Sequence, residues 1–213
     1  MSETLGASLK RQNMKWLVLL AGADVLATFL FVAPELARGV TLTELGVGRV
    51  LSTAVLPVVV LLLVNVLPHE VKSSIVFWKV QDALPGCRAF TRYAPRDQRI
   101  DMTALKKNVG PFPSEPAEQN AKWYKLYKQV PTEPNVRDAH RNFLLYRDMA
   151  ALSLPLIVLV PVALHFVGIA GGAVLLAGAL FLIQYFLTAL SARWSGVRFV
   201  CNVLAVHSIR KVR

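Results

Sequence analysis

Three lysines and three aromatics interleave in AKWYKLYKQV, residues 121–130. Lys122, Lys125 and Lys128 are cations that grip phosphates, and Trp123, Tyr124 and Tyr127 are rings on which bases stack. At about 100° per residue the stretch is an amphipathic helix, with Trp123, Leu126, Tyr127 and Val130 on one face and the lysines on the other. Three outcomes are open to it. The stripe packs on a local core with the lysines in water, the helix lies on the inner leaflet, or the lysine face binds an anionic ligand. Arg92, Arg96 and Arg99 in RYAPRDQR add a second group of candidate anion contacts.

Other reactive residue types do not converge. His69, His140, His165 and His207 are scattered, with no partner at metal-ligand spacing. No phosphate-binding glycine loop and no Gly-x-Ser-x-Gly elbow occurs. Asp97 and Asp101 stand among arginines and read as solvated ion pairs. Cys87 and Cys201 have no metal-like spacing and read as reduced, unpaired thiols. The residues thus point to no enzyme, metal or cofactor.

The elements that must position these residues are set by hydropathy. The chain is 54% hydrophobic, above the usual soluble range. The excess lies in four blocks: Trp16 to Ala33, Val50 to Leu67, Ala150 to Val167 and Gly171 to Ser191. Each is long enough as a helix to cross about 30 Å of hydrocarbon. The expected fold is an all-α membrane protein, with four transmembrane helices and a helical, basic cytosolic insert between the second and third. Its parts are an N-terminal arm (1–15), a hairpin of spans (16–68), the insert (69–149), a second hairpin (150–192) and a basic tail (193–213). The first block carries Asp24 and no clean cleavage site, so it reads as a retained span. Pro57, Pro155 and Pro161 lie within spans and predict bends.

Orientation follows from Lys and Arg. They crowd the insert, the arm (Lys10, Arg11, Lys15) and the tail (Arg193, Arg198, Arg210, Lys211, Arg213). The loop between the first two spans balances Arg38 and Arg49 against Glu35 and Glu44, and the tip between the last two is uncharged. The bias predicts a multi-pass inner-membrane protein with both termini and the insert in the cytoplasm.

Within the insert, VKSSIVFWKVQDA is expected to prolong the second span, and LPGCRAFTRYAPRDQR to form a loop. Asp101 is expected to cap a helix over MTALKKNV that Gly110 closes. Ser114 should start the lysine helix. Asn135 should cap a helix that runs unbroken into the third span. The tail reads equally as helix or strand, and with RYAPRDQR and the lysine helix it offers one basic surface. Inside the spans, Asp24, Asn65 and Gln184 are the polar candidates. Asp24 either hydrogen-bonds another span, where Gln184 is depth-matched, or lines an oligomeric pore.

ALPGCRAFTRYAPRD, EQNAKWYKLYKQV and AHRNFLLYRDMAALS have the density of a family's fixed core. In layout the whole chain resembles the small transmembrane effectors of bacterial anti-phage defence systems. The resemblance carries over no functional residue. It implies a homo-oligomeric, channel-like effector that permeabilises the inner membrane under a nucleotide or oligonucleotide signal; composition alone implies only an anionic ligand. The alternative is a passive anchor that docks a soluble partner, such as one from the same operon, through its basic insert. Reporter fusions after Arg213 and within residues 110–120 are expected to report cytosol; a periplasmic signal from either overturns this topology.

Overall fold

The computed structural model describes residues 2–37 and 47–209. Arg38 and Glu44 of the first loop, and Arg210, Lys211 and Arg213 of the tail, lie outside them. The described residues contain helices and turns and no strand. The long helices are α1 (Ser2–Ala37), α2 (Val47–Val66), α6 (Pro134–Val167) and α7 (Gly171–Ile209). Between α2 and α6 come α3 (His69–Phe77), a run of tight turns (Pro85–Arg88, Ala89–Tyr93, Ala94–Arg96), α4 (Met102–Val109) and α5 (Pro116–Tyr127).

The chain divides into two compact units. The membrane unit is Met14–Pro68 with Arg147–Ala189. The polar unit is Met1–Asn13, His69–Tyr146 and Leu190–Arg213. The arm and the tail therefore pack with the insert's helices as parts of one unit. Both α6 and α7 run from one unit into the other without a break.

Four helices are long and apolar enough to cross a membrane. In the membrane unit α1 and α2 each bury one stripe at three- and four-residue spacing. On α1 the stripe is Leu17, Ala21, Asp24, Thr28 and Val32. On α2 it is Val50, Thr53, Pro57, Val60, Leu61 and Val64. The outward faces are apolar as well, with Leu62 65% and Leu175 76% exposed. A soluble bundle turns polar residues outward, whereas a helix apolar all round needs lipid on its outer side.

The polar unit has an aromatic core. Phe199 of α7 meets Trp123 and Tyr127 of α5 edge-on, at 5.0 and 5.1 Å between ring centroids. His140 of α6 stacks on Phe199 at 4.5 Å, and its Nδ1 is 3.1 Å from the Tyr127 hydroxyl. The stripe predicted for the lysine helix is thus buried inside its own unit. Gly86 lies under α5, where a Cβ would stand 2.8 Å from Trp123 Cε3 and would also overlap the Asn120 side chain.

Several local expectations are corrected. The second span is not prolonged. Proline at 68 lacks an N–H and disfavours helix at Leu67, so α2 stops at Val66 and α3 restarts at His69. That helix stops at Phe77, and Trp78 and Asp82 take left-handed φ of 52° and 50°. The expected loop is the run of tight turns. Ser114 does not start α5; Pro116, with φ pre-set by its ring, takes the first position and Glu115 precedes it. Pro134 does the same for α6, so Asn135 is not its cap. Asp101 does cap α4, accepting from Thr103 N (2.8 Å) and Ala104 N (2.9 Å), and Gly110 closes it at φ 81°. The tail is helix to Ile209. Replacing Gly86 by Ala is expected to cost about 1–3 kcal/mol by overpacking, read as a lower thermal midpoint in detergent. An unchanged midpoint would mean that α5 does not rest on Gly86.

Candidate anion-binding pocket

The site begins with one buried amide. Gln119 of α5 accepts through Oε1 from Phe90 N (3.1 Å), Thr91 N (3.3 Å) and Thr91 Oγ1 (3.2 Å). Its Nε2 donates to Ser114 O at 2.8 Å. The first N–H groups of a helical turn have no partner within the turn. Here the turn Ala89–Tyr93 is of the wide π type, closed by Ala94 N on Ala89 O. Gln119 takes the N–H groups of Phe90 and Thr91 and so ties down the turn that carries Arg92 and follows Arg88.

These two arginines meet Lys79, two residues past the end of α3, and Arg193 of α7 around a cavity of about 230 Å³. Phe77, Tyr93, Leu190, Trp194 and Val197 supply the apolar wall. Arg193 is oriented twice. Its Nη2 donates to Phe77 O at 3.4 Å, and its guanidinium lies 4.1 Å from the centroid of the Trp78 ring. The left-handed φ of Trp78 is costly for a bulky residue, and that backbone holds the ring there.

Among the described residues, Lys79, Arg88 and Arg92 form no ion pair within 4 Å. Partial burial, and then the charges of Arg88, Arg92 and Arg193, hold the Lys79 ammonium below its ordinary pKa; Asp82 acts the other way. Like charges brought together repel, and an anion beside them would relieve that repulsion.

A second, open groove shares Arg92, Tyr93 and Trp194 and adds Arg96, Gln98 and Cys201. Arg99 also lines it but is engaged. Its Nη2 is 2.6 Å and its Nε 2.9 Å from the Asp97 carboxylate, and Nη1 donates to Asn202 Oδ1 at 3.0 Å. The Arg99 hydrogen bond, before all else, holds the Asp97 pKa down to about 2.

The lysines predicted as anion contacts line neither space. Lys122 donates to Pro111 O and lies 5.9 Å from the Phe90 ring centroid, and burial lowers its pKa. Lys122 and Lys125 border a shallow groove beside Phe112. Lys128 lies over Tyr124 at 4.7 Å. Arg193 and the turn's Arg92 line the pocket, and the lysine helix borders its own groove; Arg210, Lys211 and Arg213 of the expected basic surface lie outside the described residues.

In the membrane unit, Asp24 is 2% exposed and accepts from Gln184 Nε2 at 3.3 Å. The same Nε2 is 3.0 Å from Ser153 Oγ. Asn65 donates to Leu61 O of its own helix at 2.9 Å.

Of the predicted arginines the pocket includes Arg92, and the adjoining groove adds Arg96 and Arg99. Lys79, Arg88 and Arg193 were not among the predicted ligand contacts. Arg193-Trp194, directly after the last apolar block, was the signal available for one of them. The chain matches no family model, no curated protein and no solved structure.

The Asp97 carboxyl, with its lowered pKa, contributes stability above about pH 4 that is lost as pH falls towards 2. Arg99→Gln is expected to return its titration towards the ordinary carboxylate value near 4, followed by carboxyl ¹³C NMR. No change would show that Arg99 is free to serve a ligand.

Proposed function

We propose that this protein is a multi-pass membrane protein that responds to a phosphate-bearing anion held by Lys79, Arg88, Arg92 and Arg193. The observation that carries the reading is the convergence of these cations around one cavity, three of them without an ion pair. Phosphate oxygens accept several strong hydrogen bonds at once, and arginine forks meet them two at a time. A nucleotide or short oligonucleotide has this chemistry, as has any other phosphate ester. Trp194 on the pocket's rim supplies a face on which a base or another apolar group can rest.

The output we propose is that of a homo-oligomeric, channel-like effector of the inner membrane, with the polar unit and both termini in the cytoplasm. Continuity of α7 supports the coupling: the helix that carries Arg193 also carries Gln184, the partner of Asp24. A shift of α7 on ligand binding then acts on the polar contacts of the spans. Asp24 is enclosed within a single chain, so conduction through an oligomer requires the spans to rearrange.

Charge-assisted hydrogen bonds are worth roughly 1.5–3 kcal/mol each. The variant Lys79→Gln/Arg88→Gln/Arg92→Gln is therefore expected to bind a nucleoside triphosphate or polyphosphate at least about tenfold more weakly. Its affinity should also depend less steeply on salt. Calorimetry in detergent measures both, and ion flux from liposomes measures the output. A parent protein that binds no phosphate compound, or a variant that binds as the parent does, overturns the reading.

A further inference from the structure

The pocket wall is half apolar, and its apolar residues follow a pattern. Leu190, Arg193, Trp194 and Val197 stand at i, i+3, i+4 and i+7 on α7, one face of one helix. Leu190 belongs to the apolar block that ends at Ser191. Arg193 and Trp194 thus lie within about one helical turn, some 5.4 Å, of the end of a span. Cationic and indole side chains at that position sit at headgroup level, where one end of the ring is apolar and the other wet.

A second indole lies beside Arg193. Trp78, whose ring carries Arg193, is itself exposed, and Val80 beyond Lys79 is 95% exposed. Trp194 is 69% exposed. Two exposed indoles beside a cluster of cations gain little from water. By helical register, Ile183, Phe186 and Leu187 continue the Leu190 face down the apolar part of α7, and all three are exposed.

We infer that the phosphate ester is a lipid's: the pocket takes the phosphodiester of an anionic phospholipid. Lys79, Arg88, Arg92 and Arg193 bind its oxygens, and Trp78 and Trp194 seat among the headgroups. The inference rests on the phosphate-ester reading above and names its source. It also carries a selectivity. A phosphatidylcholine headgroup brings a quaternary ammonium that the cations repel, whereas phosphatidylglycerol brings none. The ligand is then a resident of the bilayer, and the protein reads membrane composition at its own surface.

The test uses the full chain in nanodiscs of phosphatidylcholine with and without phosphatidylglycerol, with native mass spectrometry of the lipid it retains. Retention is expected to favour phosphatidylglycerol by about tenfold, the loss expected from one charge-assisted bond. That preference should disappear in Lys79→Gln/Arg88→Gln/Arg92→Gln and survive in Lys106→Gln/Lys107→Gln/Arg137→Gln, which removes the same charge elsewhere. Arg92→Gln alone, at an exposed side chain, repeats the test should the triple variant fail to fold. Equal retention of the two lipids, or equal loss in both triple variants, overturns the inference. ATP that binds to the pocket in phosphatidylcholine nanodiscs, undisturbed by added phosphatidylglycerol, assigns the site to a soluble ester: the lipid inference fails and the phosphate-ester reading stands. Binding of neither removes both.

Discussion

The polar unit is organised by the amide of Gln119. A wide turn leaves its leading N–H groups without partners, and a buried N–H left unpaired costs roughly 1–3 kcal/mol. Gln119 accepts from Phe90, Thr91 and the Thr91 hydroxyl with one oxygen, while its nitrogen holds the Ser114 carbonyl ahead of α5. One side chain thereby ties the helix start to the turn. The close approach of α5 to Gly86 fits the same arrangement, because a Cβ there would press on Trp123. Wide π turns recur at functional sites for this kind of reason: they aim side chains that a regular helix would carry elsewhere. Arg88 stands just before this one and Arg92 within it.

The polar and membrane units solve opposite problems. In the polar unit most charged groups reach water and an aromatic core hides, the Trp123–Tyr127–Phe199–His140 cluster, while Trp78 and Trp194 stay exposed. In the membrane unit both helix faces are apolar, and the few polar side chains hide instead. An ionised carboxylate at the centre of a span costs roughly 2.5–3.5 kcal/mol on insertion scales. Interhelical hydrogen bonds in membranes return about 0.6 kcal/mol, up to about 1.7. The Gln184 bond alone does not offset Asp24. Enclosure among spans, away from lipid, must supply the remainder, and Asp24 is enclosed in that way. Gln184 lies between Asp24 of α1 and Ser153 of α6, so three spans share one polar junction.

Periodicity and composition determined the four apolar helices, the unbroken passage of α6 into its span, the capped helix between Asp101 and Gly110, and the buried face of α5. These are local: each depends on residues within a few turns of one another, and proline, glycine and aspartate act on their own backbone. Asp24 and Gln184 were also legible as a pair, because depth along two spans is read by counting. The tertiary structure decided the rest. Whether Lys122 meets a ligand or the Pro111 carbonyl depends on a turn eleven residues away. The tail became helix because its apolar side chains, Phe199 among them, found a core to enter. The pocket needed Lys79 and Arg88 beside Arg193, which is more than a hundred residues further along the chain, and a left-handed turn at Trp78 that no periodicity signals. Charge in a sequence can be counted along the chain, but repulsion depends on distance in space, and that distance was set by Gln119, Gly86 and the packing of α7.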